Sequence, residues 1–153
     1  MIAQTLGWNI ILSLCEEAKV MAVDAGQVLL SEGSLTGALY VLISGDIEIL
    51  KEGFPIDTVS QPGSVFGEVS LLLGIPHTAS VRAVSPSRLY KIESGMDFLN
   101  RHPQILLELA RLLAHRLDRT TKYLTDLKRQ TGGMTGILIS MALEHQDYAE
   151  SGD

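Results

Sequence analysis

A single cysteine, Cys15, is all the thiol chemistry these 153 residues hold. It can form no internal disulfide, and the apolar residues around it mark a buried, inert thiol. A cytoplasmic location is the corresponding expectation. Long apolar runs are missing as well: none approaches the ~20 residues that a membrane span needs. The longest, around residues 8–15 and 137–143, are short and read as core. The first residues show no basic patch followed by an apolar stretch and a small-residue cleavage site, so no secretory signal is expected. The four histidines, His77, His102, His115 and His145, stand singly. No Ser/His/Asp or Cys/His arrangement is suggested, so the expectation is a protein without catalysis and without a metal site.

What the chain does have is apolar material. At 46% of residues it supplies one packed core and argues against disorder, and the length suits one domain. The net charge of −6 is unevenly placed. Residues 101–129 carry seven Lys/Arg (Arg101, Arg111, Arg116, Arg119, Lys122, Lys128, Arg129) against three acids (Glu108, Asp118, Asp126), a local +4 that leaves −10 elsewhere. An acidic body argues against general nucleic-acid binding. The basic stretch has helical periodicity and reads first as a solvated helix face, second as a dock for an anionic partner.

Three zones follow one another. Residues 1–20 form an N-terminal region with a short helix at 8–20, its apolar residues Ile11, Leu12, Cys15 and Ala18 falling at helical spacing. Residues 21–93 contain short β-type runs separated by turns at Gly26, Gly33, Gly37, Gly45, Gly53 and Gly63, the pattern of a sandwich, roll or barrel. Asp46-Ile47-Glu48-Ile49 alternates as a half-buried strand does, and 39–43 is continuously apolar, as in a covered or central strand. Lys51-Glu52-Gly53 turns the chain toward a strand at 56–59, and Val81 and Ala83 flank Arg82 with a period of two. Residues 94–131 are helical: Ser94 or Asp97 can cap a first turn, and Pro103 suits the start of a new helix. From there Leu106, Ala110, Leu113, Leu117, Thr120, Leu124 and Leu127 follow alternating four-and-three spacing, a heptad-like seam for a homodimer. Gly132-Gly133 is expected to break the helix, leaving a short helix at 135–148 and a loose tail within 132–153.

The informative segment is Phe66-Gly67-Glu68-Val69-Ser70-Leu71-Leu72-Leu73-Gly74-Ile75-Pro76-His77-Thr78-Ala79-Ser80-Val81-Arg82-Ala83. It combines a glycine turn, one carboxylate, about one helical turn of apolar residues and a loop rejoining a strand. A helix start after a glycine offers free N–H groups to an anion. Glu68 can accept from a sugar hydroxyl, and Thr78 can donate to a phosphate oxygen.

This segment resembles the phosphate-binding cassette of the cyclic-nucleotide-binding domain family: Phe-Gly-Glu, an apolar turn, then Pro-x-Thr-Ala-Ser-Val. Ala25-Gly26-Gln27-Val28-Leu29, Glu32-Gly33, Leu39-Tyr40-Val41-Leu42-Ile43-Ser44-Gly45 and Pro62-Gly63 look like that family's other strands and turns. The likeness covers roughly residues 21–130. It implies a mainly β fold with flanking helices: a jelly-roll-like β-roll with an N-terminal helix and a long C-terminal helix. It implies a regulatory or sensor function with cyclic AMP or cyclic GMP as possible ligand. The ligand would lie against Phe66, Gly67, Glu68, Val69, His77, Thr78 and Ala79, with Glu68 on the ribose 2′-hydroxyl and Thr78 and the Ala79 amide toward the cyclic phosphate. The long helix resembles the dimerisation helix of the catabolite activator branch. There Thr120 and Thr121 match in type a hydroxyl pair that reads adenine; otherwise Thr120 is a tolerated seam residue and Thr121 faces solvent.

His77 stands where the family has its phosphate-binding arginine. Arginine forks onto two phosphate oxygens with a permanent charge, whereas histidine gives at most one such bond and is partly charged near neutrality. Altered nucleotide affinity is the expectation. A nucleotide-free β-roll serving oligomerisation or protein interaction is the alternative. Arg82, on the opposite strand face, is not expected to substitute. No membrane partner is expected, and the regulated protein is unknown. No winged DNA-binding domain is expected within this sequence, since only 20 residues follow Gly133; the chain is then either a natural single-domain member or a fragment of a longer protein. A metal-holding β-roll would need two histidines one residue apart, which this chain lacks.

Overall fold

The structure, a computed structural model, describes residues 2–149. Helix α1 (Ile2–Leu14) is followed by eight strands: β1 (Lys19–Val23), β2 (Val28–Leu30), β3 (Leu39–Ser44), β4 (Ile47–Lys51), β5 (Phe54–Val59), β6 (Val65–Phe66), β7 (Ser80–Ala83) and β8 (Ser87–Ile92). Helix α2 (Glu68–Leu73) interrupts them, and α3 (Gly95–Arg101) and α4 (Pro103–Ala149) end the described chain. The strands make two four-stranded antiparallel sheets, ordered β1-β8-β3-β6 and β2-β7-β4-β5. This is the β-roll with flanking helices that the family resemblance implies, and one of the architectures that the turn spacing allows. The chain divides into two compact units, one up to Arg111 and one from Leu112 onward.

In the first unit the alternating residues of facing strands build the core: Val23, Leu30, Tyr40, Leu42, Ile47, Phe66, Val81, Ala83 and Leu89. The continuous apolar run of β3 has its explanation in position. It lies between β8 and β6, its Tyr40 and Leu42 enter the core, and Leu39 and Val41 on its other face are buried too. Helix α1 packs on β3, and the Gly95 end of α3 sits against Leu39. The Lys51-Glu52-Gly53 turn is also present: Glu52 (φ 52°) and Gly53 (φ 81°) both take the left-handed conformation that a two-residue hairpin requires.

Four expectations are corrected. The first helix ends at Leu14 rather than at residue 20, because Lys19 and Val20 are claimed by the β1–β8 ladder (Lys19↔Lys91, Val20↔Tyr90). Periodicity within the chain carries no information about that distant partner. Strand β5 begins at Phe54 rather than residue 56, since the two-residue turn leaves Phe54 directly opposite Lys51. Ser94 occupies the N-cap of α3, but its side chain makes no capping bond; its carbonyl accepts from the Phe98 N–H instead. Finally, Gly132-Gly133 does not break the helix: α4 runs through it. A glycine costs a helix about 1 kcal/mol relative to alanine but keeps its N–H in the ladder, unlike proline. The four-and-three spacing continues past Leu127 through Thr131, Met134, Leu138 and Met141. The glycines fall off that stripe. The expected tail at 150–153 lies outside the described residues.

Candidate functional site

The cassette is assembled from the strand inward. Val65 and Phe66 pair with Val41 and Tyr40, and the Phe66 ring is core, so this residue presents only backbone to a ligand. The chain must then turn sharply away from β3, and Gly67 does this at φ 93°. A β-carbon there would stand 2.6 Å from the Ala38 carbonyl oxygen, so both conformation and space demand glycine. Helix α2 follows for six residues and closes at Gly74 (φ 64°), with the Gly74 and Ile75 N–H groups donating to the Ser70 carbonyl. The Ser70 hydroxyl donates back to the Ile75 carbonyl at 2.5 Å. So short a helix has little macrodipole, and anion binding would rest on individual N–H groups rather than on the helix end that the sequence suggested.

Glu68 is buried, 4% exposed, at the start of α2, and Val69 beside it is half-buried. Ten residues on, Thr78 is exposed and Ala79 partly so. The Ala79 N–H has no acceptor among the described residues.

His77 is the surprise of the site. Its side chain is only 4% exposed. Its Nε2 lies 2.8 Å from Thr36 Oγ1, whose oxygen also accepts from the Ala38 N–H. Two backbone bonds reinforce the contact: the His77 N–H donates to the Ser34 carbonyl and the Gly33 N–H to the His77 carbonyl, each at 2.8 Å. His77 thus ties the loop after β2 to the end of the cassette. Burial pushes its imidazole below the ordinary value, and the Glu68 carboxylate opposes that shift in part. Near neutral pH the ring is held uncharged.

Arg82 stays away from the cassette. It faces Glu48 across the β4–β7 ladder and donates to its Oε2 from Nε at 3.1 Å and from Nη2 at 2.5 Å. Thr120 and Thr121 are exposed residues of α4 in the second unit. The structure therefore gathers seven of the nine sequence-derived residues, Phe66 through Val69 and His77 through Ala79, in one segment. Sequence reasoning passed over Thr36, Glu32 and Lys51, which brace that segment. Their partners lie 27 to 48 positions away in the chain, and no local pattern announces such contacts. The described residues contain no cluster of three metal-ligating side chains and no helix long and apolar enough to cross a membrane.

Comparison with known proteins agrees with this geometry. A sequence profile described as "Cyclic nucleotide-binding domain" matches residues 20–99. A cAMP-dependent protein kinase regulatory subunit of Yarrowia lipolytica is 30% identical over 81 residues, covering 53% of this chain and 21% of that protein. A CRP-like cAMP-activated global transcriptional regulator of Mycobacterium tuberculosis is 28% identical over 123 residues, covering 76% of this chain and 55% of that protein. Among solved structures, the catabolite activator protein of Thermus thermophilus superposes with a TM-score of 0.63 at 27% identity, over 80% of this chain and 59% of that one. The chain thus spans between a fifth and just over half the length of these relatives. With the roll, the forced Gly67 turn and the buried Glu68 in place, and the profile covering more than half of its length, the chain belongs to the cyclic nucleotide-binding domain family.

Proposed function

We propose that this chain is a regulatory domain that binds a cyclic nucleotide in the Gly67–Ala79 segment and does so with an affinity altered by His77. The observation that carries the reading is the paired presentation of a buried carboxylate, Glu68, and a peptide N–H without an acceptor at Ala79. The first suits a ribose hydroxyl and the second a phosphate oxygen. Calorimetric titration with cyclic AMP and cyclic GMP tests it. Glu68→Ala is expected to weaken binding by roughly 1.5–3 kcal/mol, the value of a hydrogen bond to a charged group. Unchanged affinity in that variant would mean the segment is not used in this way. A lone buried thiol, Cys15, pushed by burial up to about 12, fits a domain working inside the cell without disulfide chemistry.

The partner we propose for α4 is a second copy of the chain. Leu117 (68% exposed), Leu124 (54%), Leu138 (63%) and Met141 (58%) repeat along one four-and-three stripe, and such a stripe is self-complementary. A helix with that much apolar surface is stabilised by covering it. Sedimentation equilibrium is expected to give a dimer at micromolar concentration. A monomer at high micromolar concentration would rule the seam out.

A further inference from the structure

A charged group sits on the back of the cassette in a contact that the nucleotide reading leaves unexplained. Lys51, the last residue of β4, places Nζ 2.7 Å from the Thr78 carbonyl oxygen and 2.6 Å from Glu32 Oε1. Glu32 is itself fixed. Its other oxygen accepts from the Glu52 N–H at 2.9 Å, and its own N–H donates to Ser80 Oγ at 2.9 Å. Lys51 bonded to it holds the Glu32 carboxyl below the usual carboxylate range. Three segments meet at this ammonium: the loop after β2, the β4–β5 hairpin and the end of the cassette.

The Thr78 carbonyl and the Ala79 N–H belong to one peptide group. Among the described residues no peptide bond is cis, so the two point in opposite directions within one plane. Whatever grips the carbonyl therefore sets the direction of the N–H. Ser80 pairs with Leu50 in the β4–β7 ladder, which puts the neighbouring Thr78–Ala79 peptide beside the Lys51 end of β4. With the carbonyl turned toward Lys51, the N–H is turned away from it. A cation on the carbonyl oxygen also draws electron density through the amide and makes its N–H a stronger donor.

We infer that Lys51, braced by Glu32, is a positioning residue for anion binding: it aims and polarises the Thr78–Ala79 peptide so that the Ala79 N–H meets a phosphate oxygen. The inference rests on the nucleotide reading of the cassette and goes beyond it, since it assigns part of the anion affinity to a residue that touches no ligand. It also gives a physical means by which a chain with His77 in the arginine position keeps a competent anion contact.

The test pairs binding with a spectroscopic signature of the peptide. Lys51→Met keeps the aliphatic stem and removes the charge, and Lys51→Arg restores a cationic donor. Cyclic AMP affinity is expected to fall roughly tenfold in Lys51→Met and to recover in Lys51→Arg. In the nucleotide-free proteins the Ala79 amide resonance in a ¹H–¹⁵N spectrum is expected to move in Lys51→Met and return in Lys51→Arg. A direct phosphate contact by Lys51 would instead weaken binding without moving that resonance in the free protein, and would overturn the inference. So would a Lys51→Met variant that binds as the wild type does. A wild-type protein that binds neither cyclic AMP nor cyclic GMP would overturn the nucleotide reading itself and the inference with it.

Discussion

His77→Arg is expected to tighten cyclic AMP binding by roughly 30- to 1000-fold at pH 8, a gain of about 2–4 kcal/mol. The variant adds a permanently charged, bidentate donor where the wild-type ring is neutral and bonded to Thr36 Oγ1. The same substitution is expected to weaken the nucleotide-free fold by about 1–3 kcal/mol, because position 77 is buried and a longer side chain overpacks it. Opposite signs for binding and for free-state stability distinguish this outcome from a general effect on folding. The wild-type protein is expected to show a pH dependence that the variant lacks. In the free protein burial lowers the His77 pKa below its ordinary value near 6.5. A bound phosphate monoanion stabilises the imidazolium and raises that pKa. Protons are then taken up on binding wherever pH lies between the two values, so affinity increases as pH falls through the bound-state pKa and levels below the free-state one. Because the free-state value is depressed, the strengthening continues below pH 6.5. Calorimetry of both proteins from pH 5.5 to 8.5 measures it. A flat wild-type profile with measurable binding would show that His77 stays on Thr36 and leaves the phosphate to other groups. Absence of binding by either protein would favour a β-roll that serves as an interaction module.

Gly67→Ala is expected to cost about 2–5 kcal/mol of folding stability, a large part of the ~5–15 kcal/mol typical of a domain. Two terms add. The left-handed conformation, φ 93°, disfavours a residue with a β-carbon by about 1–2 kcal/mol. The new methyl would also stand 2.6 Å from the Ala38 carbonyl oxygen and 3.4 Å from Leu30 Cδ1, and a backbone oxygen cannot swing aside as a side-chain end can. Gly74 provides the internal control. It too is left-handed, φ 64°, but nothing lies within 4 Å of the position its β-carbon would take. Gly74→Ala is expected to cost only the conformational term, about 1–2 kcal/mol. Urea unfolding of the two variants measures the difference. Equal losses would mean that space around Gly67 is not limiting and that the cassette turn relaxes freely.

Much of the roll was readable in advance because a strand with one buried face writes its period into the sequence. Ile47-Glu48-Ile49, Val81-Arg82-Ala83 and the turn at Glu52-Gly53 are each determined by residues within a few positions. The cassette was legible through its resemblance to a known family, since a glycine turn, one carboxylate and a short apolar helix between strands are a common device; the structure then shows Gly67 and Gly74 both in the left-handed conformation at its two ends. Elements decided by remote pairing were not. Lys19 and Val20 join a strand because β8, some 70 residues later, offers them an open ladder. Glycine's low helix propensity is local and predicts a break at Gly132-Gly133, whereas the helix persists with a four-and-three stripe on either side of the pair.

The residue types at the site, Glu68, His77, Thr78 and Ala79, were set by the sequence alone, and so was the absence of the arginine. Only the tertiary structure decided what those residues do at rest. It buried His77 against Thr36, turned Arg82 onto Glu48 and brought Lys51 and Glu32 to the back of the Thr78–Ala79 peptide. Hydrogen-bond partners 19 to 41 positions apart in the chain are brought together by the pairing of β2, β4 and β7, and that pairing is a property of the folded sheet rather than of any local stretch of sequence.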